Sequence, residues 1–272
     1  RIATTLNNLA GVFAAQGMHE KALSMYVQAR DLHASLGTTP GVASTLNNMG
    51  VLCDNLGDFE QAASHYRDSL AIQEKIGNDL EMANCLSNLG VTLRELDRSS
   101  EALECFQRAQ SIRKRLGDFR GLAITLNGMG HIYVDAARLD EAMNCYEESL
   151  ALRRTARDRV GEAVTLGSIG DLLHYHLGRN EKAIECYQAA LAIQQRLSDS
   201  AGEAATLHDL AIVHQDLGDL KQAVSYLRRV VTLNASLRDP DRQDVEQLLN
   251  EVETELEDRQ DAGRSSATED LS

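Results

Sequence analysis

Proline occurs only twice in 272 residues, at Pro40 and Pro240, so almost nothing in the chain forbids helix. Alanine, leucine, glutamate and glutamine are abundant, and helix is the favoured state nearly everywhere. No apolar run approaches the roughly 18 to 20 residues that a membrane-crossing helix needs, and Arg1-Ile2-Ala3-Thr4 is not a charged-then-apolar signal peptide. No membrane partner is expected. Basic charge is in deficit: Lys and Arg total 27 against 41 Asp and Glu, a formal net charge of -14. A phosphate backbone is repelled by such a field unless a local basic stripe overrides it, and no stripe is visible, so nucleic acid is not an expected partner. The five cysteines, Cys53, Cys85, Cys105, Cys145 and Cys186, include no CxxC pair and are odd in number. That usage points to a reducing, cytoplasmic setting. Phosphate-cradling glycine loops, nucleophile elbows and paired catalytic carboxylates are missing too, so neither an enzyme nor a cofactor site is expected.

What is present is a repeat. Ala22, Ala62, Ala102, Ala142, Ala183 and Ala223 stand 40, 40, 40, 41 and 40 residues apart. Small residues recur at Ala10, Gly50, Gly90, Gly130, Gly170 and Ala211; aromatics recur at Tyr26, Tyr66, Phe106, Tyr146 and Tyr187, with Leu227 in the last copy. Two apolar columns complete the set: Leu6, Leu46, Leu86, Leu126, Leu166 and Leu207, then Leu9, Met49, Leu89, Met129, Ile169 and Leu210. Within one copy these fall at helical spacing, break at a turn such as Gly57-Asp58, and resume, which spells helix, tight turn, helix. The small residue permits a close approach of the second helix, and the aromatic plugs the gap between neighbouring pairs. Gly37, Gly77 and Gly117 supply a left-handed position ending the second helix; Arg157, Ser198 and Arg238 hold that slot later, so those ends are expected to be less ideal. A single copy has too little apolar surface to offset its chain entropy, so copies must stack.

These columns resemble the tetratricopeptide repeat over residues 2 to about 240. The Thr45 to Gly50 and Leu116 to Asp118 phrases are similar to the 40-residue repeats of Pins-type adaptors and kinesin light chains. The resemblance implies an all-α, right-handed superhelical solenoid of six repeats, about 1–40, 41–80, 81–120, 121–160, 161–201 and 202–240. Leucine stands where the family often has tryptophan, and no proline closes each second helix. Two further segments are expected: a capping helix over 241–258, striped by Val245, Leu248, Leu249, Val252 and Leu256, and a disordered acidic tail over 259–272. One extra residue lies between Gly170 and Gly178, so a bulge or longer turn is expected near His174-Tyr175-His176. The chain opens on Arg1 with no helix-capping residue before it, so a longer protein is expected to continue upstream.

In this family the first helix of each pair lines an inner groove. The positions there not claimed by the core columns include Asn7, Asn8, Asn47, Asn48, Asn88 and Asn127, and further along His131, Asp171, His174, His208 and Asp209. An asparagine amide both donates and accepts, so a column of them suits the backbone of an extended peptide, and matching asparagines in related adaptors contact bound peptides. The alternative reading is of small solvated helix-surface residues beside a repeat contact, against which the recurrence of a mediocre helix former asks for a reason. The acids Asp54, Glu95, Asp135, Asp171, Asp209 and Asp216 suit a ligand with some Lys or Arg, or are ordinary surface charges. Chaperone-binding members use inward lysines and arginines, and here those slots hold Asn, Ser, Thr and Ala, against that activity. His131, His174, His208 and Asp171 are metal-donor types without metal-ligand spacing, so no metal is expected. Cys105, Cys145 and Cys186 read as small buried packing. The expected function is a scaffold or adaptor holding a protein or peptide segment. Two alternatives stand beside it: a self-assembling scaffold forming a homo-oligomer, and a sensor arm of a larger signalling protein.

Overall fold

The computed structural model describes the backbone of residues 1–237 and 242–269, with side chains through 235 and from 243 to 260. Those residues form α-helices throughout, with no strand among them. The helices are α1 (Ile2–Ala15), α2 (His19–Ser35), α3 (Thr39–Asn55), α4 (Phe59–Ile76), α5 (Asp79–Glu95), α6 (Ser99–Leu116), α7 (Phe119–Asp135), α8 (Leu139–Thr155), α9 (Arg159–Asp171), α10 (Asn180–Leu197), α11 (Ser200–Asp216), α12 (Leu220–Leu237) and α13 (Arg242–Glu269). Odd and even helices up to α12 pair as hairpins. The chain divides into two compact units, residues 1–152 and 153–272, each a stack of such hairpins, as the solenoid class requires.

The Leu-Gly-Asp phrase has a local explanation. Gly117 ends α6 with φ 69°, and the next residue, Asp118, caps α7 by accepting the Gly121 N–H at 2.9 Å. Asp58, Asp158 and Asp199 cap α4, α9 and α11 in the same way. Arg157 and Ser198 reach the left-handed region although they are not glycine, at φ 53° and 55°; Arg238 lies outside the described residues. Pro40 sits in the first turn of α3, where its missing N–H costs nothing.

The small-residue column is more specific than close helix approach. A Cβ added to Gly50 would stand 2.6 Å from Tyr66 Cε1, and one added to Gly90 would stand 2.9 Å from Phe106 Cε2. Gly130 and Tyr146, and Gly170 and Tyr187, are paired likewise. In these four hairpins the aromatic of the second helix packs against the glycine of its own first helix. Phe106 also reaches the next hairpin, where a Cβ on Gly128 would meet it at 2.6 Å, so it fills the gap between neighbours too. Where the column carries Ala211, the ring is replaced by Leu227.

The extra residue before Gly178 appears as a π-helical turn, Leu172–His176, continuing α9. In the C-terminal unit, Val245 and Val252 of α13 are buried with Val224, Leu227 and Val230 of α12. α13 continues past residue 258: residues 259–269, expected to be disordered, are helical. A reason is visible in the Arg259 Nη2 to Glu255 Oε1 ion pair, 2.6 Å long at i,i+4 spacing, which carries helix beyond the end of the apolar stripe at Leu256. Residues 270–272 and Pro240 lie outside the described residues.

Candidate functional site

On the first helices of the N-terminal unit the asparagines pair with one another. Asn48 Nδ2 donates to Asn7 Oδ1 at 3.2 Å, and Asn88 Nδ2 donates to Asn47 Oδ1 at 3.4 Å. The Cys85 thiol also donates to Asn47 Oδ1, at 3.3 Å, and a Ser87–Thr125 hydroxyl pair at 3.3 Å extends the row to α7. Neighbouring hairpins are thus stitched by side chains of one column meeting those of the adjacent column one repeat on. Asn7, Asn47, Asn48 and Asn88 are half-buried and Asn8 is exposed. Asn127 is buried and bonds its own helix at His131 Nε2, 3.1 Å away.

Several acids and histidines of this face serve the aromatic column. Asp54 accepts the Tyr66 hydroxyl at 2.7 Å and the Thr92 hydroxyl at 2.8 Å. Burial raises its pKa, and these two bonds counteract the rise. His131 faces the Tyr146 hydroxyl at 3.0 Å through Nδ1, and Asp171 accepts the Tyr187 hydroxyl at 2.6 Å. Tyr66, Tyr146 and Tyr187 therefore each have a polar partner on the first helix of their own hairpin. Burial, with Arg94 nearby, lowers the His131 pKa, so the ring is neutral at physiological pH. With the Asn127 amide donating to Nε2, the proton sits on Nδ1. Arg94 itself clamps Asp135 of the next hairpin with two bonds, 2.5 and 3.2 Å.

In the C-terminal unit, His174 is buried in the π-helical turn, with Nδ1 donating to Asn180 Oδ1 at 2.9 Å. Its Nε2 lies 3.3 Å from an Asp216 carboxylate oxygen but makes no hydrogen bond, so proximity without alignment is the better description. Asp209 is half-buried on α11, and its pKa rises to about 7 through burial and the nearby Asp171 charge. Burial lowers the pKa of its neighbour His208. Among the described residues no three His, Cys, Asp or Glu side chains gather to hold a metal ion. All five cysteines are free thiols. Burial raises the pKa of each, Cys145 to about 11, so the thiols are poor nucleophiles at neutral pH.

One column went unread in the sequence. His33, Gln73, Arg113, Arg153, Gln194 and Asn234 recur at the repeat period near the end of each second helix. Arg113 is 5% exposed yet charged; its Nη1 donates to Asp118 Oδ2 at 2.6 Å and its Nη2 to Asn84 Oδ1 at 2.9 Å. A Cβ on Gly121 would collide with it, as one on Gly161 would with Arg153 and one on Gly41 with His33. The signal was available: a polar residue five before the capping Asp, and glycine three after that Asp, at Arg113–Asp118–Gly121 and Arg153–Asp158–Gly161.

Hairpins with an alanine-and-aromatic second helix seated on a glycine-bearing first helix, stacked within each unit, define an α-solenoid repeat protein. The chain belongs to the tetratricopeptide repeat family: the family model matches residues 1–75, 43–115, 81–155 and 161–236. No curated protein sequence matches it. Among solved structures it is similar to BtubC (BKLC) from P. vanneervenii, with a TM-score of 0.70 and 20% identity over 81% of this chain and 92% of that one. The apo quorum sensor NprR from B. thuringiensis gives 0.67 and 16% over 89% and 68%. A STAND protein with a tetratricopeptide sensor, PH0952 from Pyrococcus horikoshii, gives 0.68 and 18% over 89% of this chain but 37% of that one. At these identities the likeness is one of fold. That fold is generally a non-catalytic protein-interaction scaffold, and no helix among the described residues is long and apolar enough to cross a membrane.

Proposed function

We propose that this chain is an interaction module that holds an extended peptide segment, with some basic residues, along the asparagine row of α1, α3 and α5. The observation carrying the reading is the pairing of Asn48 with Asn7 and Asn88 with Asn47. Each bond fixes an amide in place while using only part of its capacity. Asn48 keeps a second N–H and its carbonyl oxygen, and Asn47 keeps its NH2 group. Amides held rigid at the repeat spacing and half-open to solvent can bond a peptide backbone without a further ordering cost. Glu95 of α5 and Asp135 of α7 flank Arg94 and together outweigh its charge, which favours lysine or arginine in the ligand.

The test uses peptides selected on the protein from a short random display library. Replacing Asn48 and Asn88 by alanine should weaken the selected peptides at least tenfold, or about 1.4 kcal/mol. Each change also removes one hydrogen bond, worth about 0.5 to 1.5 kcal/mol of stability, so a modest fall in Tm is expected. Unchanged peptide affinity in a folded variant would overturn the reading.

A further inference from the structure

Among the five rings of the aromatic column, a hydroxyl goes with a partner on the first helix of the same hairpin, with one exception. Tyr66 meets Asp54, Tyr146 meets His131 and Tyr187 meets Asp171. The third hairpin carries Val91 and Arg94 at the repeat positions of these partners, and its ring is Phe106, with no hydroxyl to satisfy. The first hairpin carries Gly11 and Ala14 there, yet keeps Tyr26. Tyr26 is 4% exposed, and its hydroxyl makes no hydrogen bond among the described residues. Burial raises its pKa, so the hydroxyl keeps its proton. Nor is it sealed, for it is absent from the polar atoms cut off from solvent. A Cβ added to Gly11 would stand 3.5 Å from it, and Gly11 and Tyr26 both line a pocket of about 250 Å³ between α1 and α3. The hydroxyl therefore opens on that pocket.

The pocket is smaller than the roughly 300 to 1,000 Å³ of sites for whole small ligands and has the size of one side chain. Ala14, Ala15, Val51 and Leu52 make its walls aliphatic, and its polar groups are the Tyr26 hydroxyl and the Asn48 and Asn55 amides. Each of the three both donates and accepts, and none is charged. A carboxylate would only accept, with no cation on the walls; an ammonium would only donate, with no carboxylate on them. A carboxamide on a short aliphatic stem does both without charge. We infer that this pocket is a subsite for a glutamine side chain of a peptide partner, its stem against Ala14, Val51 and Leu52 and its carboxamide meeting the Tyr26 hydroxyl and the Asn48 amide. The inference rests on the reading of a peptide held along the asparagine row and deepens it, since Asn48 belongs to both. A buried polar group left unpaired is costly, so an occupant that pairs with Tyr26 is favoured over an aliphatic one of the same length.

The experiment is methyl NMR of the whole chain titrated with acetyl-Ala-Gln-Ala-amide and with the glutamate and norleucine versions of the same tripeptide. The glutamine tripeptide should move the Ala14, Val51 and Leu52 methyls and bind about tenfold more tightly than either analogue. Tyr26→Phe should fold, since Phe106 fills the same column in the third hairpin; it should weaken glutamine about tenfold and leave norleucine unchanged. Ala14→Asp places a carboxylate where Asp54 meets Tyr66 in the next hairpin; it should pair with the Tyr26 hydroxyl, hold or raise Tm, and abolish the shifts. Norleucine or glutamate binding as tightly as glutamine, or methyls that stay still with every probe, would overturn the inference, as would glutamine binding at full strength to Tyr26→Phe. The groove and the subsite fail in different ways. Display-selected peptides that lose affinity in Asn88→Ala, outside the pocket, but keep it in Ala14→Asp would leave the groove and remove the subsite. Selected peptides indifferent to Asn88→Ala, with the glutamine shifts intact, would remove the groove and leave the subsite.

Discussion

At the scale of single residues, Asp209 shows how burial turns a surface-type residue into a pH-responsive one. In an unfolded chain its carboxyl ionises near 3.8; in the folded chain it does so near 7. Between these values the native state binds a proton that the unfolded state does not, so stability is highest below the lower value and falls as pH rises through the window. A tenfold change in proton affinity corresponds to about 1.4 kcal/mol, so the interval between the two values bounds the loss at about 4 kcal/mol. Urea unfolding at pH 5 and pH 8 should show the C-terminal unit losing between about 1 and 4 kcal/mol. Asp209→Asn, neutral at both values, should keep most of it. An identical pH dependence in the variant would assign the effect to other groups.

At the scale of the helical hairpin, the turns offer a comparison free of packing effects. Gly17, Gly57, Gly178 and Gly218 occupy a left-handed position between the paired helices, and Asp97 and Ala137 occupy the same slot at φ 57° and 55°. A side chain there pays about 1 kcal/mol for its Cβ. Nothing stands within 4 Å of a Cβ built on Gly57, so backbone preference is the whole effect. Ala137→Gly should therefore stabilise by about 1 kcal/mol and Gly57→Ala should destabilise by a similar amount, read as opposite shifts in the urea midpoint. The hairpins themselves were legible because their signals repeat: an alanine column with one spacing of 41 against 40 elsewhere located both the period and the inserted residue that became the π-helical turn. Side-chain pairings were harder to see. Asn48 meets Asn7 rather than its own column mate, a relation set by the offset between adjacent first helices, which spacing alone does not encode. The buried Arg113 was passed over because charge was read as surface, although its capping Asp118 and its Gly121 lay in plain sequence. A cavity among α11, α12 and α13 depends on where the non-repeating helix α13 settles, so no column foretold it.

At the scale of the whole molecule, each hairpin is stabilised by its neighbours, and the ends of the stack are where that support stops. α13 carries its apolar residues on one stripe and lays Val245 and Val252 against α12, as a helix that covers a surface does. Val252 is fully buried and Val245 8% exposed, against Leu227 and Val230 at 1% and 2%, and Arg228 reaches Glu253 at 2.8 Å across the same contact. The exposed ion pair contributes less than about 1 kcal/mol; the apolar contact dominates, at about 1.5 to 3 kcal/mol for each fully buried side chain. Ending the chain after Leu237 should therefore expose the outer face of α12 and lower stability by several kcal/mol. Hydrogen exchange places the loss: amides of α11 and α12 should lose protection, while those of α3 to α6, in the other unit, keep theirs. Val252→Asp should reproduce the loss in the full-length chain, because an unpaired carboxylate replaces a valine with no solvent access. Arg228→Ala should change the urea midpoint little. If the truncated chain kept full protection in α12, α13 would be an appendage rather than a seal, and the stability of the last hairpin would have to come from within the hairpin alone.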